Sequence, residues 1–473
     1  MQHLLAMQCL FNSLLILLLV LWLPACATSP QRTQLQTIEI PSNWATLPSE
    51  ETSYGESPNA LWLTYVQENP QLKGLIDKAI SSNKDLAIAS ARVALAHAEL
   101  KGIQPKRLPQ IQASFAGTRQ KLNAFGPSLI NAPAYDNYSA SLGLRWEIDL
   151  WGSLKNQIEN QRARLESSQA NLRFAQMSIA SQVVKTWLGI MHLEGQYRLL
   201  NKQKTLQSLL TQSIEERYQK GLLPAEVLLG ERVKEQILND SLQGIALERE
   251  QVQRSLKILV GDYPEAFTIE YSPLPQLASP IPEGIPSELL LNRPDLIAIE
   301  RLLAGSQAQL KSSKKQGFPN FSLTGSSGFA SNELNTLLKS NNAIWSLGFS
   351  LAQPLIQYGQ IRANIRASES VLKEAEANYE KVVLNAFKEV ESALANEAYY
   401  QEILISTQLS LSQKEHIAAI QKAKYRTGSD NFSTYLEAEL HALKGASQYL
   451  QLQFDQFQNR VSLYTALGYS FVD

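Results

Sequence analysis

Cysteine is nearly absent: the 473 residues hold two, Cys9 and Cys26. Cys9 lies in an N-terminal apolar segment read below as a removable signal. One cysteine then remains, which excludes an intramolecular disulfide. Long apolar runs are scarce too. Leu14 to Leu23 is a run of ten, and no later segment approaches the ~20 residues of a transmembrane helix. Any passage through a membrane must then be made by a closed β-barrel. Charge of one sign is missing, the net being −1, so no nucleic-acid partner is indicated. The five histidines form no HExxH pair, and GxSxG and GxxxxGK[ST] are absent. No enzyme activity, cofactor or metal is expected, and energy must come from a partner. Proline is missing from Ala134 to Leu223 and from Leu355 to the end.

What is present is a duplication. Trp151-Gly152 recurs as Tyr358-Gly359, Tyr218-Gln-Lys-Gly221 as Tyr425-Arg-Thr-Gly428, and Val260-Gly261 as Leu467-Gly468, each at an offset of 207. Asp85-Leu86 and Asp295-Leu296, like Leu108-Pro109 and Phe318-Pro319, are 210 apart. This spacing is too long for a solenoid unit and fits a duplicated half.

Each half reads the same way. After an Ala-rich helix at Leu72–Leu100, Ile111, Ala113 and Phe115 alternate with polar residues. Ala140, Leu142, Leu144, Trp146 and Ile148 then share one face against Ser139, Ser141, Gly143, Arg145 and Glu147. Such strands have membrane-crossing length, with one apolar and one polar side. A loop with Gly126, Pro127 and Pro133 separates them. In the second half Phe321 and Leu323, then Trp345, Leu347, Phe349 and Leu351, repeat the alternation, with turn residues expected over Gly325–Asn342. Ile158, Leu165, Leu172 and Ile179 are spaced by seven, as are Ile365, Leu372, Tyr379 and Ala386, which predicts long supercoiled helices. Each helix should reverse at a glycine turn, Gly221-Leu222-Leu223 and Gly428-Ser429-Asp430. The expected organisation is a signal peptide at 1–25, an anchored tether at 26–70, and a first repeat at 71–261 with strands at about 109–148 and a hairpin at 152–261. A Pro-rich linker packed outside the helices follows at 262–291. The second repeat is at 292–468, with strands at about 319–353 and a hairpin at 359–468, and 469–473 is a tail.

Four strands cannot close a barrel, for which about eight are needed. The barrel must therefore be shared between chains. Two copies give a barrel filled by side chains; three give twelve strands and, with the polar strand faces, a wet lumen. The fold class is thus α+β, mostly α: a homotrimeric twelve-stranded transmembrane β-barrel continued by a coiled-coil α-helical barrel. Trp151, Phe318 and Tyr358 fall where strands meet helices, as an aromatic girdle would; the alternative is ordinary aromatics at a domain junction.

The chain resembles the outer-membrane efflux protein (TolC-like) family, in its lipid-anchored branch. The resemblance is carried by Arg293-Pro-Asp-Leu296, Asp149-Leu-Trp-Gly152, Ile356-Gln-Tyr-Gly359 and Tyr425-Arg-Thr-Gly428, followed by Tyr435-Leu-Glu-Ala438. It implies an exit duct in the outer membrane that docks a periplasmic adaptor and an inner-membrane pump. It places adaptor contacts at Gly221, Leu222, Leu223, Gly428, Ser429 and Asp430, and a periplasmic aperture at Glu437 and Thr434. Glu226 lies at a similar depth after the first tip. The tips are alternatively plain turns, and the glutamates solvated faces. Two other classes stand beside the duct: a lipid-anchored coiled-coil adaptor or scaffold without a pore, which would not need the four strands, and a lipoprotein enzyme, which would need a catalytic cluster.

Leu23-Pro24-Ala25-Cys26 ends the apolar run and resembles a lipobox, making Cys26 the acylated first residue of the mature chain; the alternative is a plain signal peptide cut nearby. Ala27 follows where inner-membrane lipoproteins usually carry Asp, which implies sorting to the outer membrane. The intact mass of the mature protein should exceed the Cys26–Asp473 polypeptide by a diacylglyceryl group plus an acyl chain. An unmodified N-terminus would contradict this.

Overall fold

The computed structural model describes residues 69–121, 134–265, 267, 269–274 and 292–469. The signal segment, Cys26, nearly all of the tether, the loop with Gly126, Pro127 and Pro133, most of the Pro-rich linker and the tail beyond 469 lie outside the described residues. Among those described, no helix is long and apolar enough to cross a membrane.

Four strands form one antiparallel sheet in the order β1-β2-β3-β4. They are β1 (Gln110–Gln120), β2 (Tyr135–Ile148), β3 (Asn320–Ser331) and β4 (Ala343–Ala352). The central β2–β3 pair joins the two halves. Its register sets Trp146 against Leu323 and Ile148 against Phe321. The flanking pairs set Ile111 against Leu144 and Leu323 against Phe349. The apolar sets of all four strands therefore share one face, and on β4 it is bare, with Trp345 80% exposed. The opposite face is a hydroxyl ladder: Ser114–Ser141 at 3.0 Å, Ser322–Ser350 at 2.6 Å and Ser326–Ser346 at 2.7 Å.

One expectation fails here. The turn read from Gly325 onward begins only after Ser331, because Gly325 and Gly328 lie within β3. Gly328 is required by packing: a Cβ there would collide with the Ala140 carbonyl across the β2–β3 pair.

Helices α1 (Pro70–Ser82) and α2 (Lys84–Ile103) replace the single expected helix. They break at Asn83, whose side chain accepts from the amides of Asp85 (2.8 Å) and Leu86 (3.1 Å). The long helix α3 (Ser153–Gln219) has 67 residues, about 100 Å at 1.5 Å each. It reverses into α4 (Ala225–Leu259). In the second half α5 (Pro294–Lys315) leads to the sheet, and α6 (Tyr358–Arg426) reverses into α7 (Phe432–Ala466). α3 packs against α1, α2, α4, α5 and α7, while α6 packs against α5 and α7. The main core gathers Leu72 and Ile76 of α1, Trp187 and Leu188 of α3, Leu256 of α4, and Phe457 and Val461 of α7.

The heptad residues are unequal. Ile158, Leu372 and Ala386 are buried, whereas Leu165, Leu172, Ile179, Ile365 and Tyr379 are half-buried. The deeper seam of upper α3 is Asn160, Ala163, Ser167 and Ala170. It is small because α5 comes close: a Cβ on Gly305 would lie 3.0 Å from Asn160 Oδ1 and 3.4 Å from Ala163 Cβ.

The duplication has a matched tie in each half. Asn83 donates to the Leu259 carbonyl at the end of α4 (2.9 Å). Arg293 donates to the Ala466 carbonyl at the end of α7 (3.2 Å), 207 positions after Leu259. Gly261 and Gly468, with φ of 77° and 83°, let the chain leave each helix against these ties. Arg293 also grips Asp295 through two bonds of 3.0 and 2.8 Å. This explains the Arg-Pro-Asp-Leu segment: proline opens α5, Asp295 lies in its first turn, and the guanidinium complements the C-terminal dipole of α7. The halves differ at the long helices. Asp149 caps α3 by accepting from Leu154 (3.0 Å) and Lys155 (2.7 Å), but Ile356 stands at the matching position before α6.

Replacing Arg293 with Ala strips half-buried Asp295 and a helix end of their partner. Thermal unfolding should report a loss of about 1–3 kcal/mol. Arg293→Lys should fall in between, since an ammonium cannot form the two-pronged pair. Equal stability of all three proteins would contradict the tie.

Candidate functional site: hairpin tips, duct face and membrane edge

Both hairpins turn by the same hydrogen-bond pattern. After α3, Gly221 N–H donates to the Tyr218 carbonyl and Leu222 N–H to that of Arg217, both at 2.9 Å. After α6, Gly428 donates to Tyr425 (3.0 Å) and Ser429 to Lys424 (2.9 Å). These are Schellman ends. They need a left-handed residue, supplied by glycine at φ 69° and 72°.

The tips carry different chemistry. Leu222 is 65% exposed. Leu223 departs from the expectation of two exposed leucines: it folds back onto Leu210, Ile214 and Leu228 of its own hairpin and Leu436 and Leu440 of the other. One apolar cluster thereby holds both tips together. At the second tip Asp430 Oδ1 accepts from Asn431 N–H (2.8 Å), and Asn431 caps α7 through Thr434 N–H (2.9 Å). The Thr434 hydroxyl also donates to Asn431 Oδ1 (3.0 Å), so Thr434 serves the cap. Sequence reasoning missed an aromatic group here. Tyr425 lies 5.0 Å from Phe432 and 6.0 Å from Tyr435 between ring centroids. The signal was present in Phe432 and Tyr435, three residues apart on α7 and just across the turn from Tyr425.

Glu437 and Glu226 are exposed, and neither enters an ion pair among the described residues. Glu437 begins a polar stripe on α7 that continues through His441, Lys444, Gln448, Gln451 and Asp455 at spacings of three and four. The linker lies elsewhere. Tyr271 packs under Arg198 at 4.1 Å and Ser272 N–H reaches Met191 Sδ at 3.4 Å. On α7 the linker side is marked by Leu450, next to Tyr271 at Gly195. At 3.6 residues per turn, Leu450 is about 140° round the helix from the Glu437 stripe.

At the sheet–helix junction Trp151 and Phe318 meet, with centroids 5.1 Å apart, and Trp151 Nε1 donates to the Pro319 carbonyl (2.7 Å). Tyr358 is exposed and lies under Arg362 at 4.7 Å.

An open sheet with one bare apolar face, continued by long helical hairpins whose polar stripe lies away from the linker, defines a membrane channel component. Residues 75–259 and 285–469 match the family described as outer membrane efflux protein, one match to each half. The chain belongs to that family, and its place is the outer membrane, as an exit duct for efflux. It is 27% identical over 418 residues to the cation efflux system protein CusC of Escherichia coli K12, covering 87% of this chain and 89% of that one. It is 28% identical to the solvent efflux pump outer membrane protein SrpC of Pseudomonas putida, covering 85% and 86%. Among solved structures, the outer-membrane channel OprN superposes with a TM-score of 0.82 at 25% identity, covering 91% of this chain and 97% of that one. The family is one of outer-membrane channel proteins rather than of poreless adaptors or of enzymes.

Leu222 and Leu223 now separate cleanly. Leu222→Asp should lower transport in cells while leaving expression and thermal stability unchanged. Leu223→Asp should lower stability, by about 2–3 kcal/mol for a charge forced into an apolar cluster. Unchanged transport in Leu222→Asp would remove that side chain from any docking surface.

Proposed function

We propose that three copies of the chain form one duct, which an inner-membrane pump fills through a periplasmic adaptor docked on the hairpin tips. The observation that carries this is the sheet. β1 and β4 present unpaired edges on a sheet with a lipid-compatible face, and hydrocarbon does not tolerate open edges. The helices support the same assembly. α5 packs on both α3 and α6, whereas its counterpart α2 packs along α3 and leaves Ile88 and Leu95 exposed. α7 likewise packs on α3 and α6, whereas α4 leaves Leu229, Val233 and Ile237 exposed. By the internal symmetry, the partner missing from α2 and α4 is α6 of the next copy, which offers Tyr399, Ile405 and Leu409. Three copies supply the twelve strands that leave a wet lumen for the serine ladder.

In this assembly the described part of the linker that packs on α3, Tyr271 and Ser272, lies outside, since inside it would narrow the duct. The Glu437 stripe then faces the lumen, and three Glu437 carboxylates narrow the periplasmic mouth. Thr434 adds no charge and Glu226 lies near by. Gly221, Leu222, Gly428, Ser429 and Asp430 meet the adaptor, while Leu223 holds the tips in place from within. Trp151, Phe318 and Tyr358 mark the membrane edge. Residues 1–25 direct export and the acylated Cys26 at the head of the 26–70 tether adds an anchor. The cargo is small molecules, in keeping with relatives named for cation and solvent efflux.

Reconstituted in a planar bilayer, the protein should give discrete conductances with a preference for cations. Glu437→Gln removes charge at nearly constant volume and should reduce that preference. Selectivity identical to wild type would return Glu437 to a solvated face, and absence of any conductance would contradict the duct.

A further inference from the structure

A cavity of about 470 Å³ lies over α3 between α4 and α7, within the size range of small-ligand sites. It opens on the side of α3 away from the linker. Gly189 lines it without a side chain. A Cβ on Gly189 would reach Val252 Cγ1 at 3.8 Å and Phe454 Cζ at 3.9 Å. His192, nearly one turn on, is 5% exposed and stacks on Phe454 with centroids 4.4 Å apart and planes 18° apart.

His192 is the unusual group. Burial holds its imidazole below the usual range, against the opposing pull of Asp455 and a hydrogen bond to the Leu450 backbone, so the ring is neutral at pH 7. Its Nδ1 is buried and has no partner. That nitrogen is closed to solvent, so the ring takes part as a flat wall of the cavity, stacked on Phe454. Two polar neighbours are already engaged: Gln196 Nε2 donates to the Ser447 carbonyl (2.8 Å) and Gln451 Nε2 to Asp455 (2.9 Å). The exposed Glu248 adds a carboxylate, and no Lys or Arg lines the cavity. The one charged side chain of the lining is thus a carboxylate beside an apolar slot, an arrangement that attracts a cation and repels an anion.

We propose that this cavity binds a small amphipathic organic cation, its apolar body between Phe454 and Val252 and its charge toward Glu248. Binding stands on the cavity alone. Its role as a resting place for cargo on the inner wall rests on the duct reading above.

The probe is ethidium, an amphipathic cation bearing amino groups, titrated by fluorescence anisotropy into the full-length protein in lipid nanodiscs. Empty nanodiscs serve as blank, and the anion 8-anilinonaphthalene-1-sulfonate as the opposite charge. Saturable binding of one ethidium per chain is expected, with none for the anion. Gly189→Leu fills the space and should weaken binding at least ~10-fold. Glu248→Gln changes an exposed side chain, so folding is safe, and should weaken binding several-fold while flattening its salt dependence. If Gly189→Leu does not fold, Glu248→Gln decides. No saturable binding, or equal affinity in wild type and Glu248→Gln, overturns the proposal. Bilayer conductance of the same preparations separates the two claims: pores without ethidium binding defeat the cavity site alone, and absence of pores defeats the duct.

Discussion

The structure depends on one constraint: a β-strand in hydrocarbon must have both edges paired. Each backbone N–H or C=O left bare in lipid costs several kcal/mol, and one chain supplies four strands where a barrel needs at least eight. β2 and β3, one from each half, satisfy each other within the chain. β1 and β4 each keep an outer edge that only another copy can pair. The bare apolar side of Phe115, Leu142 and Trp345 demands lipid, while the serine ladder on the other side demands water. A sheet with these two faces and two open edges has a stable place only as one part of a closed wet barrel.

The helices carry the same incompleteness into the aqueous space. α3 is covered by five neighbours, but α2 and α4 each lack the partner that α5 and α7 possess. Duplication explains why. In the proposed assembly each half has one interface satisfied within the chain and one left for the next copy, so that a ring would close with alternating internal and intermolecular contacts of similar geometry. The ties at Asn83 and Arg293 keep the two halves equivalent where the returning helices end. The tips are also fixed together, because Leu223, Leu228, Leu436 and Leu440 share one cluster.

Much of this was legible in the chain. Alternation at 140–148 and 345–351 gave strand faces that the register reproduces, and paired glycines located the hairpin reversals. What escaped was set by neighbours distant in sequence. Gly325 and Gly328 signal a turn by type, but the Ala140 carbonyl across the sheet is what requires Gly328. Leu222 and Leu223 are alike as residues, and only the cluster beneath them separates one exposed side chain from one partly buried. The seam of Asn160, Ala163 and Ser167 is invisible to a search for large apolar residues, because close helix approach selects small ones. The break at Asn83 was hidden in an Ala-rich stretch whose propensity is helical throughout. His192 carried no motif. Its place in the cavity wall, stacked on Phe454 beside Gly189, is disclosed only by the packing.

The claim that edge pairing dictates assembly is tested most directly by native mass spectrometry of the protein released from lipid nanodiscs. The account predicts a mass of three chains, with single chains appearing only together with loss of β-structure. A folded monomer or dimer as the sole stable species would contradict it.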